Sequence, residues 1–293
     1  MPLQMDQDDA DLLGRGMAVG GSVELPFAVP YVYWVNGNAR LRAAGGVQYF
    51  GGWATDQEAM LEAGQDRGLT EQPAGWNAEE IITEAQKTLK VFTSRGAFVA
   101  PIDIRHSWFM KEAGENARRA SQYFPGSRQH IQALVFLAGK FKGEPMKPWG
   151  PAVLSAKGYQ AGYLNKSFQT WASKISAVRK RVAPKIPAWC FYMALGTFGN
   201  DVKVVKVGKG TNEKPITPIN VYVPEALTDA QLEGLFVGKE NAHLMAGLKL
   251  DAADWLVAWA NRGEGEGSGS VEPSIAEEPT IEEPEGPPDE IPF

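Results

Sequence analysis

Residues 163–182 read "YLNKSFQTWASKISAVRKRV". Leu164, Phe168, Trp171, Ile175, Val178 and Val182 recur at steps of 4, 3, 4, 3 and 4. That spacing puts their side chains on one face of an α-helix. Lys166, Lys174, Lys180 and Arg181 fall away from the stripe, and Pro184 and Pro187 end the helix because proline lacks an amide donor. The rest of the chain is rich in strand signals, so the place of this one long helix among them decides the fold.

Upstream, "FAVPYVYWVNGNARLRAAGGVQYFGGWAT" (27–55) is dense in β-branched and aromatic residues and carries the hairpin-type pair Asn36-Gly37. Residues 89–104 read as two strands around Ser94-Arg95-Gly96, and 128–141 as a buried strand. Between the first two regions, Asn77 followed by Glu80, Ile81, Ile82, Ala85 and Leu89 predicts a capped helix from about 78 to 88. Downstream, 188–208 and 217–224 read as strands, with Gly199-Asn200-Asp201 as a turn. Thr228 with Gln231 forms a capping-box start, and Leu248, Ala252, Trp255, Leu256 and Trp259 stripe a last helix over 249–261.

Three strand regions, a helix and two more strand regions are the order of a five-stranded Greek-key barrel of the OB type. A β-sandwich or a mixed α+β domain would read much the same. The predicted class is therefore mainly β with inserted helices (α+β): an OB-type barrel with long loops, a short C-terminal helical segment and a disordered acidic tail. The long loops fall between Trp53 and Leu89 and between Lys142 and Tyr163. The predicted division is a flexible acidic and Gly-rich N-terminus (1–22), a barrel domain (23–225), a helical segment packed on it (226–262) and the tail (263–293).

Composition narrows the functional classes. With the acidic ends set aside, the chain is long enough for a sizeable core. A single cysteine, Cys190, excludes an internal disulfide framework and fits a reducing compartment. "MPLQMDQDDADLL" lacks the pattern of a signal peptide, and the apolar run 188–195 is too short to span a bilayer. The expectation is a cytoplasmic protein without membrane attachment. The formal charge is −6 and residues 263–293 supply −10, which leaves +4 on 1–262. Residues 1–14 hold four acids and no base, so 15–262 carry +8. A basic body between acidic ends suggests a polyanion surface and a tail able to compete for it.

A catalytic constellation is not apparent. His106, His130 and His243 lack metal-type spacing, and Cys190 sits in an apolar run. "VGKGT" (207–211) has Lys203 where a phosphate loop needs glycine. No enzyme activity, cofactor or metal is predicted. Binding single strands needs only aromatic faces to stack on bases and cations to follow phosphates. The candidate stacking residues are aromatics flanked by turn residues and cations: Tyr49, Phe50, Trp53, Trp108, Trp149 and Tyr159. The candidate phosphate-binding residues are Arg40, Arg42, Lys90, Arg95, Arg105, Lys140, Lys142, Lys147 and Lys157. Lys140, Lys142, Lys147 and Lys157 face one acid, Glu144, in a predicted 140–159 loop. Trp171 lies on the helix stripe and belongs to the core.

The chain closes with "PPDEIPF" after an acidic, Gly-, Ser- and Pro-rich spacer without Lys or Arg. Such a spacer cannot bury enough apolar surface to order itself. A basic barrel, this spacer and this tip together resemble the bacterial and phage single-stranded DNA-binding proteins. Their tip is commonly Asp-Asp-Asp-Ile-Pro-Phe. Asp289, Glu290, Ile291, Pro292 and Phe293 match its last five positions with one Glu for Asp, and Pro288 stands where the first acid would be. The resemblance covers the tail and, loosely, the strand order. It implies a protein that coats single-stranded DNA without strong sequence preference during replication, recombination and repair. It also implies recruitment of partner proteins through Asp289–Phe293, work in the host cytoplasm or nucleoid if phage-encoded, and compatibility with a homo-oligomer. The alternatives are a single-strand annealing recombination protein and, in another class, an enzyme or scaffold with a solubilising tail.

Overall fold

A computed structural model describes residues 3–4, 25–36, 51–65, 67–82, 88–111, 117–141, 143–197, 205–208 and 214–258. The chain divides into two units, Met1–Gly263 and Glu264–Phe293. Every strand and helix below belongs to the first, and the second lies outside the described residues.

The centre is a meander of three long strands. β6 (Gly96–Lys111) pairs antiparallel with β8 (Arg128–Gly139), which pairs antiparallel with β9 (Lys147–Lys157). The chain then enters helix α2 (Tyr159–Val182), the helix read from the sequence, which starts four residues earlier than the stripe indicated. Leu164, Phe168, Trp171 and Ile175 are buried, and Gln160 ties the helix start to the carbonyl of Thr217 and the amide of Ile219. Beyond it, β10 (Met193–Gly196) pairs with β6, and β13 (Asn220–Tyr222) pairs with β10.

On the other side of β9 lies the N-terminal hairpin. β2 (Tyr31–Val35) runs parallel to β9, and β3 (Gly52–Asp56) runs antiparallel to β2. Then come β5 (Thr88–Ser94), β4 (Asn77–Ile82) and the short β1 (Leu3–Gln4). The sheet has eleven strands in the order β1-β4-β5-β3-β2-β9-β8-β6-β10-β13, with β7 (Ala117–Ala120) paired on β6. A separate pair joins β11 (Val205–Val207) to β12 (Lys214–Ile216). The remaining helices are α1 (Gln57–Gln65), α3 (Asp229–Gly234), α4 (Lys239–Asp251) and α5 (Ala253–Val257). No helix among the described residues is long and apolar enough to cross a membrane.

The protein is therefore mainly β with a few helices, in one large mixed sheet. Among the described residues the hydrogen-bonded order has two ends, so no sheet closes on itself through a ladder. β5 and β6 are nevertheless separated by Arg95 alone, so a strand that pairs with β3 runs straight into one that pairs with β8 and β10. Side chains join β3 to β10 as well. Trp53 Nε1 donates to the Leu195 carbonyl at 2.9 Å, and Thr197 Oγ1 donates to the Gly51 carbonyl at 2.7 Å. Gly51 fits there because a Cβ would collide with the Thr217 side chain.

Register separates the two faces, since residues opposite each other in a ladder share a side. One face carries Val32, Trp34, Trp53, Ile131, Ala133, Val135, Leu137, Leu154, Val99 and Leu195, all buried in the main core. The opposite face is more polar. Its rows run Tyr33–Ser155–Gln132–Arg105 and Lys157–His130–Ser107 across β2, β9, β8 and β6.

Three sequence expectations are corrected. Residues 77–82 form strand β4, because six consecutive pairings to β5 outweigh a capping signal on a helix too short to be stable alone. Residues 147–157 are not a loop but a central strand, buried over most of its length. A strand buried on both faces shows no alternation, and Pro148 and Pro151 spoke against one. The last helix is two, broken at Ala252, with α4 beginning at Lys239. Both hydrogen bonds of the Thr228–Gln231 capping box are present. The Gly199-Asn200-Asp201 turn and Gly37 lie outside the described residues.

Candidate nucleic-acid interface

The sequence-predicted residues separate into three groups. Arg40, Arg42, Tyr49, Phe50, Lys142 and the tip Asp289, Glu290, Ile291, Pro292 and Phe293 lie outside the described residues.

The second group is buried. Trp53 is 0% exposed and stands edge-on to Trp34 with 5.0 Å between ring centroids. Trp149 is 6% exposed, and its Nε1 donates to the Glu71 carbonyl at 3.2 Å. Neither presents a face to a strand of DNA: their flanking turn residues mimic a surface site, but both fill the space between the sheet and its connections. Arg105 is 4% exposed. Its Nε and Nη2 donate to Gln132 Oε1, and its Nη1 donates to the Trp255 carbonyl at 2.8 Å. Its guanidinium carbon lies 3.7 Å from the centre of the Trp255 ring.

The third group is exposed or half-buried and falls mainly at two ends of the β8–β9 ladder. At the hairpin between these strands, Lys140 lies over the Phe98 ring at 5.7 Å, and Lys147 makes an exposed ion pair with Glu144 at 3.5 Å. Phe141 beside them is half exposed. Lys90 is exposed on β5 opposite Glu80, and Arg95 is exposed at the junction of β5 and β6.

The far end, on the order of 35 Å away along β8, is richer. There β6 extends to pair with β7, and both of its faces carry aromatic rings. Trp108 stands edge-on to Tyr123, 5.1 Å between centroids, and Tyr123 is 52% exposed. On the other face, Phe109 meets the edge of His130 at 5.8 Å and carries the Lys157 ammonium at 5.1 Å. Arg128 is exposed opposite Phe109. Trp108 pairs with Gln129, whose carbonyl accepts from Gly158 N at 2.7 Å, and the next residue is Tyr159, 58% exposed. The structure thus places Trp108, Lys157 and Tyr159 at one end of the ladder, with Trp108 and Tyr123 on one face of β6 and Phe109, Lys157 and Arg128 on the other. Phe109 was legible as the neighbour of Trp108 in "RHSWFMK", and Tyr123 as an aromatic in the turn "SQYFPGS".

The electrostatics of this end rest on Lys and Arg. Desolvation pushes the His106 imidazole down, so it is neutral at neutral pH. Burial, with Tyr31 alongside, pushes the Tyr33 phenol well up and keeps it neutral on the polar face. Cys190 is buried, and desolvation pushes its thiol up to about 11, which suppresses nucleophilic chemistry there. Among the described residues no group of three or more His, Cys, Asp or Glu is placed to hold a metal ion. What the far end offers is an aromatic pair on one face of β6 and, on the other, an aromatic ring beside fixed cations. No family model, no curated protein and no solved structure matches the chain.

Proposed function

We propose that this protein binds single-stranded DNA with little sequence preference, and that Asp289–Phe293 recruits partner proteins. The observation that carries the reading is the cluster at the far end of β6–β8–β9. Trp108, Tyr123, Phe109 and Tyr159 supply ring faces there, and Arg128 and Lys157 supply phosphate partners. Stacking on such faces contributes about 1–3 kcal/mol per base, and any base can use it. The basic charge of residues 15–262 and the acidic tail fit the same reading.

We infer, too, that the sheet is an elaborated OB-type barrel closed through the chain rather than through a ladder. Support comes from treating β5, Arg95 and β6 as one bent strand. The pairings then run β6-β8-β9-β2-β3-β5 and return to the start, with five members and β2–β9 as the one parallel pair. In chain order the five members are β2, β3, β5–β6, β8 and β9, so α2 follows the last of them and the ring departs there from the OB order, in which the helix follows the third strand.

Titration of the full chain with labelled oligo-dT against a duplex competitor tests the function. Binding should need no metal, favour single strands and leave them intact. The log–log salt slope should steepen by about −0.7 for each phosphate contacted. Equal affinity for duplex, or no binding at low salt, refutes the proposal.

A further inference from the structure

We propose that the Arg105 guanidinium, with Gln132 beside it, is a second base-stacking site, closed in the free protein by the indole of Trp255. Single-stranded DNA advancing from the far-end cluster would displace that indole. This rests on the single-strand reading above and adds a covered site to the open one.

Four observations carry it. Arg105 lies on the same face of β6 as Ser107 and Phe109, so the covered site continues the open one over about 13 Å of strand. Between them Ser107, His130, Gln132 and Ser155 share this face; all four are buried, and His130 Nε2 lies 2.9 Å from Ser155 Oγ.

The occupant is a flat ring. Trp255 sits 3.7 Å from the guanidinium carbon, the arrangement that an unstacked base adopts on an arginine plane. It is also an imperfect occupant. Trp255 is 1% exposed, and its Nε1 is buried with no hydrogen-bond partner among the described residues. A buried unpaired donor disfavours the closed state and regains its hydrogen bond when the ring leaves.

The cover is small. α4 is held to β6 by buried Met245 and Leu248 and by the Lys249–Asp103 ion pair at 2.8 Å. α5 is five residues long, begins after the break at Ala252 and ends beside the half-exposed Val257. Lifting that turn breaks the hydrogen bond from Arg105 to the Trp255 carbonyl and the one from the Leu256 amide to the buried Ala252, while α4 keeps its own contacts to β6.

Hydrogen exchange on the full chain tests this directly. With saturating oligo-dT, amides of 253–257 should exchange at least tenfold faster, while 239–248 stays unchanged. Trp255→Ala should tighten oligo-dT binding by about tenfold, the size of one stacking contact. Arg105→Lys keeps the charge but loses the plane, so adding it to Trp255→Ala should remove that gain. The gain should persist at high salt, unlike any gain from deleting the acidic residues 263–293. If Trp255→Ala does not fold, exchange in the unaltered chain still decides. Unchanged or slower exchange at 253–257 with DNA bound overturns this site and leaves the open cluster standing. Absence of oligo-dT binding overturns both.

Discussion

Trp53→Phe separates a core role from a binding role for the residue that looks most like a stacking platform in the sequence. The substitution keeps one ring and removes the fused one with its N–H. The Leu195 carbonyl then loses the donor it has at 2.9 Å, a cost of about 1–2 kcal/mol in a buried site. A void on the order of 40 Å³ adds about 1 kcal/mol. Weakening the edge-to-face contact with Trp34, now 5.0 Å, adds roughly 0.5 kcal/mol. The sum is about 3 kcal/mol, a large share of the ~5–15 kcal/mol that holds a typical domain together. For a body of this size the melting midpoint should fall by about 6–12 °C. Calorimetry or thermal circular dichroism gives the midpoint, and oligo-dT titration well below it gives the affinity of the folded fraction. The expected result is a lower midpoint with unchanged affinity. An unchanged midpoint with weakened affinity would show that Trp53 faces DNA and that the assignment of the two sheet faces is reversed.

Trp149→Ala should likewise cost about 3–5 kcal/mol of stability without a specific loss of DNA affinity, which paired melting and titration experiments check. Trp108→Ala should do the opposite, weakening oligo-dT binding by roughly 1–3 kcal/mol and reducing tryptophan quenching while the melting midpoint moves little. A thiol reagent at pH 8 should label Cys190 slowly in the native protein and fast in denaturant, because burial pushes the thiol up to about 11. By the same shift the thiolate is disfavoured only in the fold, so stability should decline as pH rises past the unfolded thiol value near 8.5, visible in denaturation midpoints. Deleting Phe293 should abolish capture of replication or repair proteins and leave oligo-dT affinity unchanged; retained capture would sink the docking role of the tip.

What could be read from the sequence was local. The stripe of α2 and the Thr228 box announce themselves within one or two turns of chain, and both are present. The strands around Arg95 were legible from their β-branched and aromatic content. β9 was not, because burial on both faces removes the period of two and its prolines imitate a loop. The site shows the same limit. "GGWAT" and "HSWFMK" give Trp53 and Trp108 similar neighbours, yet one ring points into the core and the other meets Tyr123 beyond it. Which side a strand residue faces depends on register with partners far away in sequence. The pairing of Trp255 with Arg105, 150 residues apart, is out of reach of any local pattern.

The parallel ladder between β2 and β9 has a consequence for how the chain is made. Tyr31 pairs with Val153, so the hairpin of β2 and β3, complete at Asp56, waits for 97 further residues before its neighbour exists. At ~5–20 residues per second, synthesis leaves it half-paired for about 5–19 s. During that interval the indoles of Trp34 and Trp53 have no Leu195 or Thr217 carbonyl to receive their N–H groups. The first-made strands are thus among the last to be secured. The nascent chain carries an apolar, unpaired edge for seconds, and the fold rests on a pairing of long sequence separation, the kind that forms slowly.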